Sequence, residues 1–186
     1  HANIVPWQMV AEKTGARLRA FTLEDDGAFS MARLKAEMSE KTRIIAIPHV
    51  SNVLGTVFPV AEIAALAHDA GALMVVDGCQ GVVHMPVDVT ALGADFYVFS
   101  AHKLYGPNGV GVLWGRGEIL ADMPPFLGGG DMIDRVTIET STYAEPPVRF
   151  EAGTPAIAET IALGAAVDYV QSIGMEAIRA HERSEG

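Results

Sequence analysis

Lys103 follows the apolar run FYVF and the tripeptide Ser100-Ala101-His102, and precedes the glycine-studded turn LYGPNG. An amine placed where an apolar strand ends is a nucleophile toward an aldehyde, the reaction that makes a Schiff base. Asp77 closes a second apolar run, LMVV, and is followed by Gly78-Cys79-Gln80. A carboxylate there can keep a nitrogen heterocycle protonated. A third run, IIAIP, ends in His49-Val50-Ser51-Asn52.

The surrounding pattern says how these groups are brought together. Residues 3–14 (NIVPWQMVAEKT) are followed by Gly15, and 16–23 (ARLRAFTL) alternate like a half-buried strand. Ser30 is placed to cap a helix through MARLKAEM, and RIIAIPHV has the β-branched content of a central strand buried on both faces. PVAEIAALAHDAG (59–71) has proline at a helical start and glycine at its stop. LMVVD is a further buried strand, PVDVTALGA (86–94) a short helix-like connection, and DFYVFS and VGVLWGR are strands joined through the PNG turn. The Pro- and Gly-rich stretch 123–156 reads as loops, after which IAETIALGAAVDYVQSIG resumes a helix. Strands alternating with helices predict an α/β fold with a mostly parallel sheet sandwiched by helices. Ligands in such sheets bind beyond the carboxyl ends of the strands. All three polar clusters fall on that rim.

Composition narrows the function. With 186 residues, 49% of them hydrophobic, the chain can bury a substantial core. A formal net charge of -10 argues against a nucleic-acid partner, which clustered Lys and Arg would bind. The apolar runs are too short to span a bilayer, so no membrane association is expected. One cysteine, Cys79, excludes an internal disulfide and a cysteine-built metal cluster and fits a reducing, cytoplasmic setting. His49, His68 and His84 lie on different elements without ligand spacing, so no metal is expected.

A lysine, an aspartate and several hydroxyl and amide donors on one rim match the needs of pyridoxal 5'-phosphate (PLP). That cofactor takes a lysine amine on its aldehyde and a carboxylate at its ring nitrogen.

The runs HANIVPW, HVSNVLGT, VDGCQ, SAHKLYGPNGVGVL and RFEAGTP resemble the class V aminotransferase family of fold-type I PLP enzymes. Within it they resemble the group-II cysteine desulfurases of the Suf and Csd type, relatives of the selenocysteine lyases. The resemblance implies that Lys103 carries the cofactor and moves protons, that Asp77 pairs with the ring nitrogen, and that Gln80 bonds the phenolic oxygen. It places Ser100 and His102 at the cofactor phosphate and Asn52 near the ring and substrate carboxylate. Thr154 would reach the phosphate of a neighbouring subunit, since family members are homodimers.

By the same resemblance the chain is a central cofactor-binding fragment, with 1–156 the core of the large domain and 157–186 leading toward a small one. A ring-stacking histidine would precede His1. A persulfide-bearing cysteine and a substrate-binding arginine would follow Gly186. The implied reaction converts cysteine to alanine and enzyme-bound sulfur for a sulfur-acceptor protein, as in iron–sulfur cluster assembly. A selenocysteine lyase, another enzyme of this fold, or a cofactor-free interaction module are the alternatives.

Each residue has a plainer competitor. A lysine after a strand is commonly a solvated charge, and Asp77 suits a helix cap. Cys79 suits a small apolar filler, Trp7 and Trp114 suit core packing, and Gly128-Gly129-Gly130 suits a tight loop rather than a phosphate cradle.

Overall fold

The computed structural model describes residues 2–185; His1, which opens the HANIVPW motif, and Gly186 lie outside them. Helix α1, Val5–Thr14, has Pro6 in its first turn and ends at Gly15, whose φ of 73° suits a residue without Cβ. None of its residues is buried. Trp7 therefore does not pack in the core as expected; its Nε1 donates to Asn3 Oδ1 at 3.1 Å along the half-exposed helix.

The expected strand at 16–23 is absent. The alternation is real in its packing, since Phe21 and Leu23 lie against the core. Among the described residues no strand pairs with it, however, and the Leu23 carbonyl accepts from Arg33 Nη1 at 2.8 Å. Ser30 does cap helix α2, Met31–Glu37, its hydroxyl accepting from the Arg33 N–H at 3.5 Å.

The main sheet has the order β1-β2-β3-β4, with β1 Ile44–Pro48, β2 Leu73–Asp77, β3 Phe96–Ser100 and β4 Gly111–Gly115. The first three strands run parallel and β4 returns antiparallel to β3. β1 is thus an edge strand among the described residues rather than a central one. Its burial alternates, with Ile45 and Ile47 inside and Ile44 44% exposed, so it is not buried on both faces.

Helix α3, Val60–Asp69, explains which face is inside. It buries Val60, Ile63, Ala64 and Ala67, a single helical stripe, in the cluster that holds Ile45, Ile47, Met74, Val76 and Tyr97. Trp114 packs against this cluster, as expected. Ladder register aligns Val76 with Tyr97 and Trp114 on that face, and Asp77 with Val98 and Leu113 on the other.

A one-turn helix α4, Gly81–His84, follows β2. Residues 86–94 then form turns in place of a helix, with the Asp88 carboxylate accepting from the N–H groups of Thr90 and Ala91 at 2.9 and 3.0 Å. Below, fully buried Asp95 is held from three sides: by the Met74 N–H at 2.7 Å, His68 Nε2 at 2.9 Å and Arg116 Nη1 at 3.0 Å. Burial pushes its carboxyl up, but these donors outweigh burial and leave it below its usual range.

Helix α5, Gly117–Asp122, follows β4. The region expected to be loops contains a hairpin, β5 Ile133–Val136 with β6 Ser141–Tyr143, and a 3-10 turn at Val148–Phe150. Every residue of these two strands is exposed, so no buried stripe marks them in sequence. Helix α6, Ile157–Ile173, breaks at Gly174 and continues as α7, Met175–Glu185. Leu163 and Val170 of α6 join Val83, Ala101 and Leu104 in a second apolar cluster. Among the described residues no helix is long and apolar enough to cross a membrane.

Candidate functional site

Three parallel strands deliver their carboxyl ends to one rim. Pro48 pairs with Asp77, and Asp77 with Val98, two residues before Ser100. Asp77 and Ser100 therefore share a sheet face, Ser100 one pleat further out. The segment beyond β2 touches the end of β3: the Cys79 thiol donates to Ser100 Oγ at 3.9 Å. Cys79 is half-buried on this rim, more open than a core filler.

Asp77 is half-buried, and its Oδ1 accepts from the Cys79 N–H at 3.1 Å. The carboxylate thus braces the turn rather than capping α4, whose N-cap is Gln80. Its second oxygen remains available to a ring N–H. Lys103 and His102 sit in a 3-10 turn, Ala101–Leu104, inserted between β3 and β4. That turn is clamped by Ala101 N–H to the Val110 carbonyl at 3.1 Å and Gly106 N–H to the Ala101 carbonyl at 3.0 Å. Tyr105 closes it with a φ of 58°. His102 is exposed and Lys103 half-buried; among the described residues the lysine's side-chain amine makes no hydrogen bond or ion pair.

Asn52 is exposed in the turn beyond β1, where Ser51 Oγ accepts from the Val53 and Leu54 N–H groups at 3.3 and 3.2 Å. Thr154 is exposed beside Gly153, whose N–H bonds the Gly130 carbonyl at 3.0 Å. The glycine triplet thus belongs to a tight loop, and no hydrogen bond joins Thr154 to Asp77, Ser100 or Lys103 among the described residues.

Two features escaped the sequence reading. The first lies under the rim, where His49 Nδ1 and the Tyr97 hydroxyl are hydrogen-bonded at 2.9 Å and both residues are buried. Burial lowers the His49 pKa. Burial, with Asp77 and Cys79 close by, raises that of Tyr97. Both therefore stay neutral. The Tyr97 ring fills the space a side chain at residue 78 would need: a Cβ there would lie 1.8 Å from Cε1. The second is a bridge from Gln80 Oε1 to His84 Nε2 at 3.0 Å, and from His84 Nδ1 to Glu182 Oε1 at 2.7 Å.

The donor set fits a phosphorylated pyridine aldehyde: an unpaired amine, a carboxylate with a spare oxygen, and hydroxyl, imidazole and amide groups at the ends of adjacent strands. Among the described residues no group of three His, Cys, Asp or Glu side chains is placed to hold a metal ion.

A mixed α/β architecture, with helices flanking a mostly parallel sheet and a lysine at its rim, has known counterparts. The class-V aminotransferase family model matches residues 1–185, and the chain belongs to that family. It is 57% identical over 183 residues to a cysteine desulfurase of Dickeya dadantii, covering 98% of this chain and 44% of that protein. Its fold superimposes on the cysteine desulfurase CsdA (S-sulfonic acid) from Escherichia coli with a TM-score of 0.90 and 43% identity, over 94% of this chain and 44% of the other. It also superimposes, with a TM-score of 0.81 and 30% identity, on a mutant of C-DES with glycine covalently linked to the PLP cofactor, over 91% of this chain and 46% of the other. The chain thus spans less than half the length of these relatives.

Proposed function

We propose that this chain is the cofactor-holding core of a PLP-dependent cysteine desulfurase, which takes sulfur from cysteine and releases alanine. The observation that carries the reading is the delivery of Asp77, Ser100 and the Lys103 turn to one rim by neighbouring strands. Relatives named cysteine desulfurase, at 51–57% identity, support the choice of substrate.

Bound at the rim, PLP supplies an electron-accepting ring that loosens bonds at the α-carbon of an amino acid. Lys103 is the amine that attaches the aldehyde and afterwards carries protons to and from the substrate carbon. Its clamped turn holds that amine at the rim. Asp77 keeps the ring nitrogen protonated through its free oxygen. Ser100 and His102 would hold the phosphate, Gln80 would donate to the phenolic oxygen, and Asn52 would serve the ring and the substrate carboxylate. Thr154, held apart on an exposed loop, serves the phosphate of a second subunit in a homodimer. The sulfur leaves on a cysteine outside this chain and passes to an acceptor protein. The same reading divides the chain into a core, 1–156, and a helical continuation, 157–186.

The test is to titrate the full-length protein with PLP and follow visible absorbance, then add cysteine and measure alanine and sulfur release. A saturable visible band together with equal amounts of both products is expected. A full-length protein that gives neither contradicts the reading.

A further inference from the structure

The Gln80–His84–Glu182 bridge constrains protons as well as positions. The carboxylate of Glu182 only accepts, so a hydrogen bond to it requires a proton on His84 Nδ1. The Gln80 oxygen also only accepts, so the contact at Nε2 requires a second proton there. With the Gln80 oxygen as the accepting end, the bridge needs a proton on both ring nitrogens; with the amide turned about, it needs one, on Nδ1. Gln80 lies one helical turn before His84, on the same side of α4, and its oxygen is occupied. The amide nitrogen, on the other branch, is left to donate elsewhere.

Loss of one proton has a determined outcome. Glu182 keeps the remaining proton on Nδ1, so Nε2 becomes a bare acceptor. Gln80 satisfies it by turning its amide through half a revolution and donating from nitrogen. The carbonyl oxygen now occupies the other branch and has no proton to give.

We propose that His84, anchored by Glu182, is a positioning residue that sets which end of the Gln80 amide faces the cofactor site. The inference rests on the reading of Gln80 as the donor to the cofactor's phenolic oxygen. In the cationic state of His84 the amide N–H groups face that oxygen; in the neutral state they are turned away. Glu182 makes the switch obligatory, because without it a neutral His84 keeps its proton on Nε2 and continues to hold Gln80 as a donor.

The elements packed on α4 carry other charged groups. They are Glu176, Arg179, His181 and Arg183 on α7, and His102 and Lys103 on the 3-10 turn. Among the described residues only Glu182 is ion-paired to His84. Geometry joins the last helix of the chain to a single amide at the rim.

The test compares cofactor affinity of the full-length apoprotein with that of its Gln80→Leu variant, using PLP as the probe, from about pH 5 to pH 9 across imidazole titration. The ratio of the two dissociation constants cancels every titration the proteins share. It is expected to be about tenfold at the acid end, the worth of one hydrogen bond to a charged oxygen, and to fall toward one at the alkaline end. In a Glu182→Ala background the ratio is expected to stay constant across the range. A ratio above one that does not vary with pH while Glu182 is present, or one that varies equally without it, overturns the inference and leaves the Gln80 assignment standing. A ratio of one at every pH, in proteins that bind PLP, overturns the Gln80 assignment and the inference with it.

Discussion

His49 and Tyr97, 48 positions apart, share a buried hydrogen bond of 2.9 Å directly beneath the turn that follows Asp77. Tyr97→Phe keeps the ring and removes the hydroxyl, leaving His49 Nδ1 without its partner. A loss of about 1–2 kcal/mol of stability is expected, read from urea unfolding midpoints.

The same pair gives the fold a pH dependence of known sign. The His49 pKa is depressed by burial, so the unfolded chain takes up that proton first. Stability from this group is complete above the ordinary imidazole value of about 6.5 and declines as pH falls below it. Unfolding free energies measured at a series of pH values are expected to show a shallower acid decline in His49→Phe than in the parent.

Gly78→Ala tests the close approach of backbone and ring. The new methyl group would meet Tyr97 Cε1 at 1.8 Å, and that ring is buried. A destabilisation of about 1–3 kcal/mol is expected, with partial recovery on pairing the change with Tyr97→Leu. Equal unfolding midpoints for Gly78→Ala and the parent would contradict the packing.

Asp95 anchors the opposite end of the sheet. Asp95→Leu abandons the Met74 N–H, the His68 imidazole and the Arg116 guanidinium, and is expected to cost about 3 kcal/mol. Because its donors hold this carboxyl below its usual range, its contribution is complete above the ordinary carboxylate value of about 3.9 and is lost as pH drops through the lower folded value. Acid unfolding monitored by circular dichroism should begin at higher pH in Arg116→Leu than in the parent.

For the proposed chemistry, Lys103→Ala in the full-length protein should abolish the visible band of attached cofactor and lower alanine formation by at least about 100-fold, the usual contribution of a placed proton carrier. An undiminished band would remove Lys103 from its assigned role.

Much of the rim was legible because each strand announces its end: an apolar run stops and polar residues follow at once, as at VVD and VFSAHK. The helix stripe 60–67 was equally plain, since burial repeats at helical spacing. Residues 16–23 misled because side-chain alternation reports packing on a core and not the presence of a ladder partner. The 133–143 hairpin was missed because its strands are short and exposed throughout. The position of β1 at an edge could not be read, since β-branched content says nothing about how many neighbours a strand has. His84 and Glu182 lie 98 residues apart, and only the break at Gly174 brings α7 back to α4. His84 itself lies four residues after Gln80, a signal visible in the sequence once ring nitrogens are considered as orienting groups as well as metal ligands.

The antiparallel return of β4 leashes the segment carrying Lys103 at both ends, with Ser100 and Gly111 paired at its base. A short tether fixed to a stiff sheet has few shapes to explore. The entropy of aiming that amine is therefore settled when the chain folds and need not be met again at each encounter with a small molecule.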